Sequence, residues 1–300
     1  MTERGTGEPS ATEAESQAHA RSCGSCEVWG ILNVTPDSFS DGGAYLRADA
    51  ALTQGLKMMR EGAHVIDVGG ESSRPTGKTY GDVEPVSVER ELARVIPVIK
   101  LLAGYGARLS IDTVKAVVAE RAVQWGAQIV NDVSCGRSEA LLRVAAESGA
   151  ELVLMHNRGR GERSAANTQY GPNLLRMVRD ELMGAMDRAV TAGVRPEQIW
   201  LDPGIGFAKQ AVQSAALLAR TDVLVATGQR VLVGASRKSF IGELAPLASS
   251  GAPDAAQRLG GSLAAITAAV LKGAHAVRVH DVLASRQAVD LALALRQVEP

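Results

Sequence analysis

From residue 28 onward, short apolar runs alternate with longer amphipathic stretches. The runs, rich in Val, Ile and Leu, cover 28–33, 64–68, 108–112, 128–132, 151–156, 199–202, 231–234 and 276–280, and each predicts a buried β-strand. Between them, apolar positions recur at helical spacing over 49–61, 86–102, 115–125, 139–148, 174–192, 212–226, 253–272 and 283–297. Several helices run into Gly-Ala (Gly62-Ala63, Gly126-Ala127, Gly149-Ala150, Gly273-Ala274), as expected where a helix C-terminus turns directly into a strand. Eight such units predict an α/β fold, a parallel (β/α)8 TIM barrel in a single domain. An open doubly wound sheet is the alternative, because periodicity does not show closure.

In such a barrel all strand C-termini share one rim, where the βα loops build the site. The residues at those ends are polar in every unit: Asn33; Asp67, followed by GGESSRP; Asp112; Asn131 and Asp132; Met155 and His156; Asp202, followed by PGIGF; Gly234 to Ser239; Arg278 and His280. One acidic strand end is explained by capping of the next helix. Polar groups from every strand on the same rim point instead to a ligand.

The rim sorts by charge. Asp67, Asp112, Asn131 and Asp202 supply acceptors, while Arg74, Lys238, Arg278 and His280 supply cations and donors. A carboxylate facing two adjacent N–H donors recognises a guanidine-like edge, such as that of a pterin, in bidentate fashion. Three Asp also invite a divalent cation, or pair with Lys238 or Arg278. Arg278 and His280 lie two apart on a strand and so share a face; with Asn33, Asp37 and Arg74 they make a diphosphate cradle. The start of the helix at Ser239 suits an anion such as a carboxylate.

The chain has 300 residues, 46% hydrophobic and 22% charged, enough to bury a full core. Its net charge of −1 gives no field for nucleic acid or a membrane surface, and 3% aromatic residues argue against a base-stacking surface. No apolar run is long enough to span a bilayer. Residues 1–22 are polar and lack the apolar centre of a secretory signal, so residues 1–26 are read as a disordered tail, 27–300 as the barrel, and the location as cytoplasmic. Cys23 and Cys26 form a C-x-x-C, which suits a redox pair or half a zinc site; with no second pair, two reduced thiols at the edge of the tail are expected.

The motifs GILNVTPDSFSDGG, IDVGGESSRP, SIDT, IVNDVS, LMH, LDPGIGF, VGASRKSFIG and VRVHDV, in this order, resemble those of the dihydropteroate synthase family of pterin-binding TIM barrels. The resemblance runs from about Val28 to the last helix. It implies a homodimer that joins 6-hydroxymethyl-7,8-dihydropterin diphosphate to 4-aminobenzoate with Mg2+, releasing diphosphate and 7,8-dihydropteroate. It places Asp67, Asp112, Asn131, Met155, Asp202, Phe207, Gly234 and Lys238 at the pterin, and Asn33, Arg74, Arg278 and His280 at the diphosphate. Ser73, Arg74, Pro75, Lys238 and Ser239 fall to the aminobenzoate, and Asn33 and Asp37 to the metal. Lys238, Arg278, His280 and Asp112 are the catalytic candidates, and the loops 33–41 and 73–84 the water-excluding lids.

Four segments depart from the family pattern. The second loop reads SSRPTGKTYGDVEPVS and is several residues longer. Ala208-Lys209-Gln210 and Gln213-Ser214 replace G-K-T and a His-Asn pair. Asn157 to Gly161 form a basic loop, and no β-hairpin precedes the first strand to plug the barrel floor. An active synthase is therefore weighed against a non-catalytic paralogue that binds pterin or diphosphate, and against a pterin-dependent methyltransferase. The apolar stripe of LASRQAVDLALALRQ fits barrel packing or an interface equally.

Overall fold

The computed structural model describes residues 25–35, 44–71, 86–159, 168–246 and 252–298, with side chains in the first of the helices from residue 48 onward. Eight parallel strands, Glu27–Asn33 (β1), Val65–Gly69 (β2), Leu109–Asp112 (β3), Ile129–Asp132 (β4), Glu151–Met155 (β5), Ile199–Asp202 (β6), Arg230–Val233 (β7) and Ala276–Val279 (β8), close on themselves in sequence order. The closed (β/α)8 barrel is the predicted one, and the open sheet is excluded. Gly62, Gly126, Gly149 and Gly273 all take left-handed φ values, 94°, 112°, 70° and 92°, so each Gly-Ala pair ends its helix as the sequence predicts.

Two expected helices differ. The stretch 212–226 is divided into Ala211–Ala219 and Asp222–Val225. Between them the Thr221 hydroxyl donates to the Leu217 and Leu218 carbonyls at 3.3 and 3.0 Å, which ends the first helix by competing for its ladder. The stretch 253–272 begins with a 3-10 turn, Ala256–Arg258, before the helix Leu259–Leu271. There Asp254 Oδ1 accepts from the Ala256 and Gln257 amides at 2.9 and 3.0 Å.

Strand register stacks the inward side chains in layers contributed by alternate strands. The lowest, from the odd strands, is Glu27, Arg108 at the foot of β3, Glu151 and Arg230. Arg108 bridges Glu27 at 2.9 Å and Glu151 at 2.6 Å, and Arg230 reaches Glu151 at 2.8 Å. Above it Trp29, Val65, Ile129, Val153, Trp200, Leu232 and Ala276 fill the interior, with Trp29 and Trp200 edge to face at 5.2 Å. Their indole N–H groups donate down to Glu27 (2.8 Å) and Glu151 (2.5 Å). The barrel floor is thus closed by its own strands, through an ionic ring under two indoles.

The even strands then contribute one polar layer, Asp67, Asn131, Asp202 and Arg278, lying directly above that apolar plug. Outward positions pack on the helices: at Gly30 an added Cβ would come within 2.9 Å of Met58 Sδ and 3.2 Å of Val282, so glycine lets two helices close on β1. Cys26 is 2% exposed and joins the core rather than lying at the edge of a tail; burial pushes its thiol up to about 12, far from a reactive thiolate. Cys23 and the rest of the tail lie outside the described residues. Among the described residues no helix is long and apolar enough to cross a membrane.

Candidate active site

The polar layer is interlocked. Arg278 donates through Nε to Asp67 Oδ2 (2.5 Å) and through Nη2 to Asp112 Oδ2 (2.7 Å). Asn131 Nδ2 donates to the same Asp67 oxygen at 3.1 Å, which leaves the Asn131 carbonyl oxygen turned away from Asp67. Asp67 is 0% exposed, and its Oδ1 is buried without a hydrogen-bond partner. Asp67 therefore orients Asn131 and Arg278.

On the other side of the mouth, Asp202 Oδ1 accepts from the Gly204 amide at 2.7 Å. Lys238 Nζ donates to the Ile205 carbonyl at 2.6 Å and sits 4.6 Å from the centre of the Phe207 ring. Gly234 lies among these groups: a Cβ there would be 3.8 Å from Arg278, Asp202 Oδ2 and Lys238 Nζ alike. At the rim, Asn33 Oδ1 and Asp112 face each other across Gly69, whose added Cβ would be 3.6 Å from both. Met155 closes the adjacent wall at the end of β5 and is 4% exposed. His280 is held by Ser236 Oγ, which accepts from the His280 amide (3.2 Å) and meets its Nδ1 at 3.0 Å. With the hydroxyl donating to Nδ1, Nε2 carries the ring proton. Ser239 starts the helix Ser239–Leu244, with Lys238 at its N-cap.

Three buried carboxylates, Asp67, Asp112 and Asp202, face two cations here, Arg278 and Lys238. Burial pushes the Asp112 carboxyl up to about 7; Arg278 opposes the shift, and Asp67 and Glu91 add to it. Asp202 is likewise raised by burial, against the pull of Lys238. Burial disfavours the Arg278 charge, but Asp67 and Asp112 outweigh it and hold its pKa above the ordinary value. A ligand with adjacent N–H donors would satisfy the Asp112 and Asp202 carboxylates.

Asp37, Arg74, Ser73 and Pro75, with the expected second lid and the first lid from residue 36 onward, lie outside the described residues. Two other rim residues point away from the mouth, because successive strand residues alternate. Asp132 caps its own loop, accepting from the Ser134 and Gly136 amides at 2.8 and 2.7 Å. His156 is 0% exposed and lies between Glu181 (3.0 Å) and Lys209 (2.9 Å).

Sequence reasoning missed Ser236, Arg237 and Asp281, and did not place Lys209. Ser236 and Arg237 lie within the run Gly234 to Ser239 that the sequence places on the rim, but no local pattern pairs them with His280 and Asp281 of another loop. Gln213 and Ser214, where the family pattern is broken, are supports: Gln213 Nε2 donates to the Thr168 carbonyl (2.9 Å), and Ser214 Oγ accepts from the Gly206 amide (3.1 Å).

A family model described as pterin binding enzyme matches residues 29–280. The chain is 46% identical over 269 residues to dihydropteroate synthase of Mycobacterium leprae, covering 88% of this chain and 91% of the relative. It is similar in structure to Xanthomonas albilineans dihydropteroate synthase with 4-aminobenzoic acid, at a TM-score of 0.81 and 39% identity over 92% of this chain and 94% of the other. The complex of that enzyme with 7,8-dihydropteroate gives a TM-score of 0.79 and 38% identity, covering 92% and 95%.

Proposed function

The chain belongs to the pterin-binding enzymes and, within them, to the dihydropteroate synthases, and on that premise we propose how its residues divide the work. The enzyme is a transferase that forms the C–N bond between 6-hydroxymethyl-7,8-dihydropterin diphosphate and 4-aminobenzoate. The observation that carries the assignment of roles is the even-strand layer of Asp67, Asn131, Asp202 and Arg278, capped by Asp112 and Lys238, over the apolar plug that contains Trp29 and Trp200.

The Asp112 and Asp202 carboxylates and the Asn131 carbonyl accept from the N–H edges of the pterin, and Lys238 donates to it beside Phe207 and Met155. Arg278 and His280, with Asn33 and Arg74, take the diphosphate. An aryl amine is a weak nucleophile, so rate comes from departure of the diphosphate, whose developing charge Arg278 and His280 neutralise. The same carboxylates offset cationic character at the pterin methylene, and no protein nucleophile is needed. Ser239 at the helix start takes the aminobenzoate carboxylate, and the family pattern assigns Ser73, Arg74 and Pro75 to the same substrate.

Asn33 Oδ1, turned to the mouth over Gly69, is a hard oxygen donor, and the described residues hold no cluster of three or more His, Cys, Asp or Glu side chains suited to a metal. An oxygen donor of this kind suits Mg2+, which Asn33 would hold together with Asp37. When bound, Mg2+ would neutralise phosphate charge. Leu283, Leu291 and Leu295 are 64%, 61% and 53% exposed while Val289 and Ala292 pack inward, which supports the final helix as part of a homodimer contact.

Purified protein given the pterin diphosphate, 4-aminobenzoate and Mg2+ is expected to release diphosphate and form dihydropteroate. Pterin binding by calorimetry without product would overturn catalysis in favour of a binding paralogue. The altered residues Gln213 and Ser214 make supporting contacts to the loops around the mouth, which favours the enzyme.

A further inference from the structure

Lys209 is 0% exposed, an uncommon position for an ammonium group. Its Nζ donates to His156 Nδ1 at 2.9 Å, the Gly204 carbonyl at 3.0 Å and the Phe207 carbonyl at 3.0 Å, with the His156 carbonyl at 3.5 Å. Three acceptors at hydrogen-bond distance match three ammonium protons. His156 in turn meets Glu181 through Nε2 at 3.0 Å, so the ring is a neutral spacer that accepts from Lys209 and donates to Glu181. Glu181 also receives Arg158 Nε at 3.1 Å to both oxygens.

The segment that Lys209 holds is unusual. Gly204, Gly206 and Ala208 all have left-handed φ, at 65°, 80° and 48°, a conformation that a residue with a Cβ keeps only where its surroundings impose it. At Gly204 an added Cβ would fall 1.9 Å from the His156 carbonyl oxygen, so the loop is pressed against the end of β5. Its carbonyls go to different partners: those of Gly204 and Phe207 to Lys209, that of Ile205 to Lys238 at 2.6 Å, and that of Ala208 takes the Tyr170 hydroxyl at 3.0 Å.

The Gly204 and Phe207 carbonyls held by Lys209 lie one and two residues from the Ile205 carbonyl that accepts from Lys238. The geometry points to Lys209 as a positioning residue that sets the place of Lys238, through the carbonyls of the loop 204–208. This inference rests on Lys238 acting in the synthase site.

A kinetic cycle tests it, with pterin diphosphate, 4-aminobenzoate and Mg2+, using Lys209→Met, Lys238→Ala and the double variant. Lys209→Met is expected to lower kcat/KM for the pterin diphosphate at least tenfold. In the Lys238→Ala background the same change should cost less than threefold, because the group it positions is gone. Losses that multiply, or a Lys209→Met enzyme with wild-type kcat/KM, overturn the inference. Should Lys209→Met not fold, Lys209→Gln takes its place: with two N–H donors on a shorter side chain it is expected to lower kcat/KM at least threefold in the wild type and not at all in the Lys238→Ala background, and losses that multiply or an unchanged kcat/KM overturn the inference. Wild-type activity in Lys238→Ala alone would instead sink the assignment of the site itself.

Discussion

Arg237 and Asp281 meet in a two-point ion pair, Nε to Oδ2 at 2.9 Å and Nη2 to Oδ1 at 2.5 Å, that ties the loop after β7 to the loop after β8. Arg237 has φ 57°, and its amide donates to Ser262 Oγ at 2.8 Å. The pair therefore fixes a strained turn whose next residues are Lys238 and Ser239, against the residue that follows His280. Asp281→Asn keeps the shape and loses the second strong hydrogen bond. It is expected to lower kcat/KM at least fivefold while costing only about 1 kcal/mol of stability, since the pair is partly exposed. Urea unfolding alongside steady-state kinetics checks both; unchanged kinetics would show that the loops hold their places without it.

Asp112 gives the site a pH dependence. With the carboxyl pushed up to about 7 by burial, the ligand-free protein holds a proton there at lower pH, whereas the N–H edge of a pterin needs the carboxylate. Binding then releases a proton, and affinity falls as pH drops below 7, by up to about tenfold per unit. Titration calorimetry with a pterin lacking the diphosphate, corrected for the ligand's own ionisation, is expected to show this slope in the wild type. Asp112→Asn should bind more weakly and flatten the slope. An equal slope in both would place the titrating group elsewhere.

How much of this was legible in the sequence depends on which physical rule each feature obeys. Strand and helix identity follows local periodicity, so all eight units and the Gly-Ala helix ends were readable. The break at Thr221 was not, because the apolar period continues across it while the hydroxyl of one side chain ends the helix. Polar strand ends announced the rim. Which of them face the mouth requires parity: Asn131 and Asp132 cannot both point inward, nor can Met155 and His156.

The grouping of Asp67, Asn131, Asp202 and Arg278 in one layer depends on closure and stagger, which periodicity does not encode. Lys209 stands out in the sequence only as part of a segment that departs from the family pattern. Only the fold reveals that its ammonium meets His156 and two carbonyls in the interior.

His156 makes stability depend on pH below neutrality. Burial holds its pKa down to about 4, with Lys209 and Arg158 in the same direction and Glu181 opposing. The folded chain keeps the ring neutral, while the unfolded chain binds a proton below about 6.5. The contribution is thus full above 6.5 and lost as pH falls from 6.5 to 4, to a limit of about 3 kcal/mol. His64 and His275, whose Nδ1 atoms accept the Val28 and Val231 amides at 3.0 and 3.1 Å, are also lowered by burial and add to the trend. Thermal unfolding across this window should show Tm declining in the wild type and declining less in His156→Gln. Parallel curves would assign the loss to the other two histidines.

The floor and the rim are expected to be separable. Glu151 is the common acceptor of Arg108, Arg230 and the Trp200 indole, and these hydrogen bonds and charges outweigh its burial and hold its carboxyl below the usual range. Glu151→Gln keeps the volume but removes the charge that two arginines share, at about 1–3 kcal/mol. The apolar layer containing Trp29 and Trp200 stands between that ring and the layer of Asp202 and Arg278. Close-packed side chains of this kind accept a charge change below them without moving those above, provided the indoles keep their rotamers. Denaturant unfolding should therefore show the loss, while kcat/KM measured well below the variant's Tm stays within twofold of wild type. A larger drop would mean that the ionic ring reaches the pterin layer through the two tryptophans, and the barrel interior would have to be treated as one coupled unit.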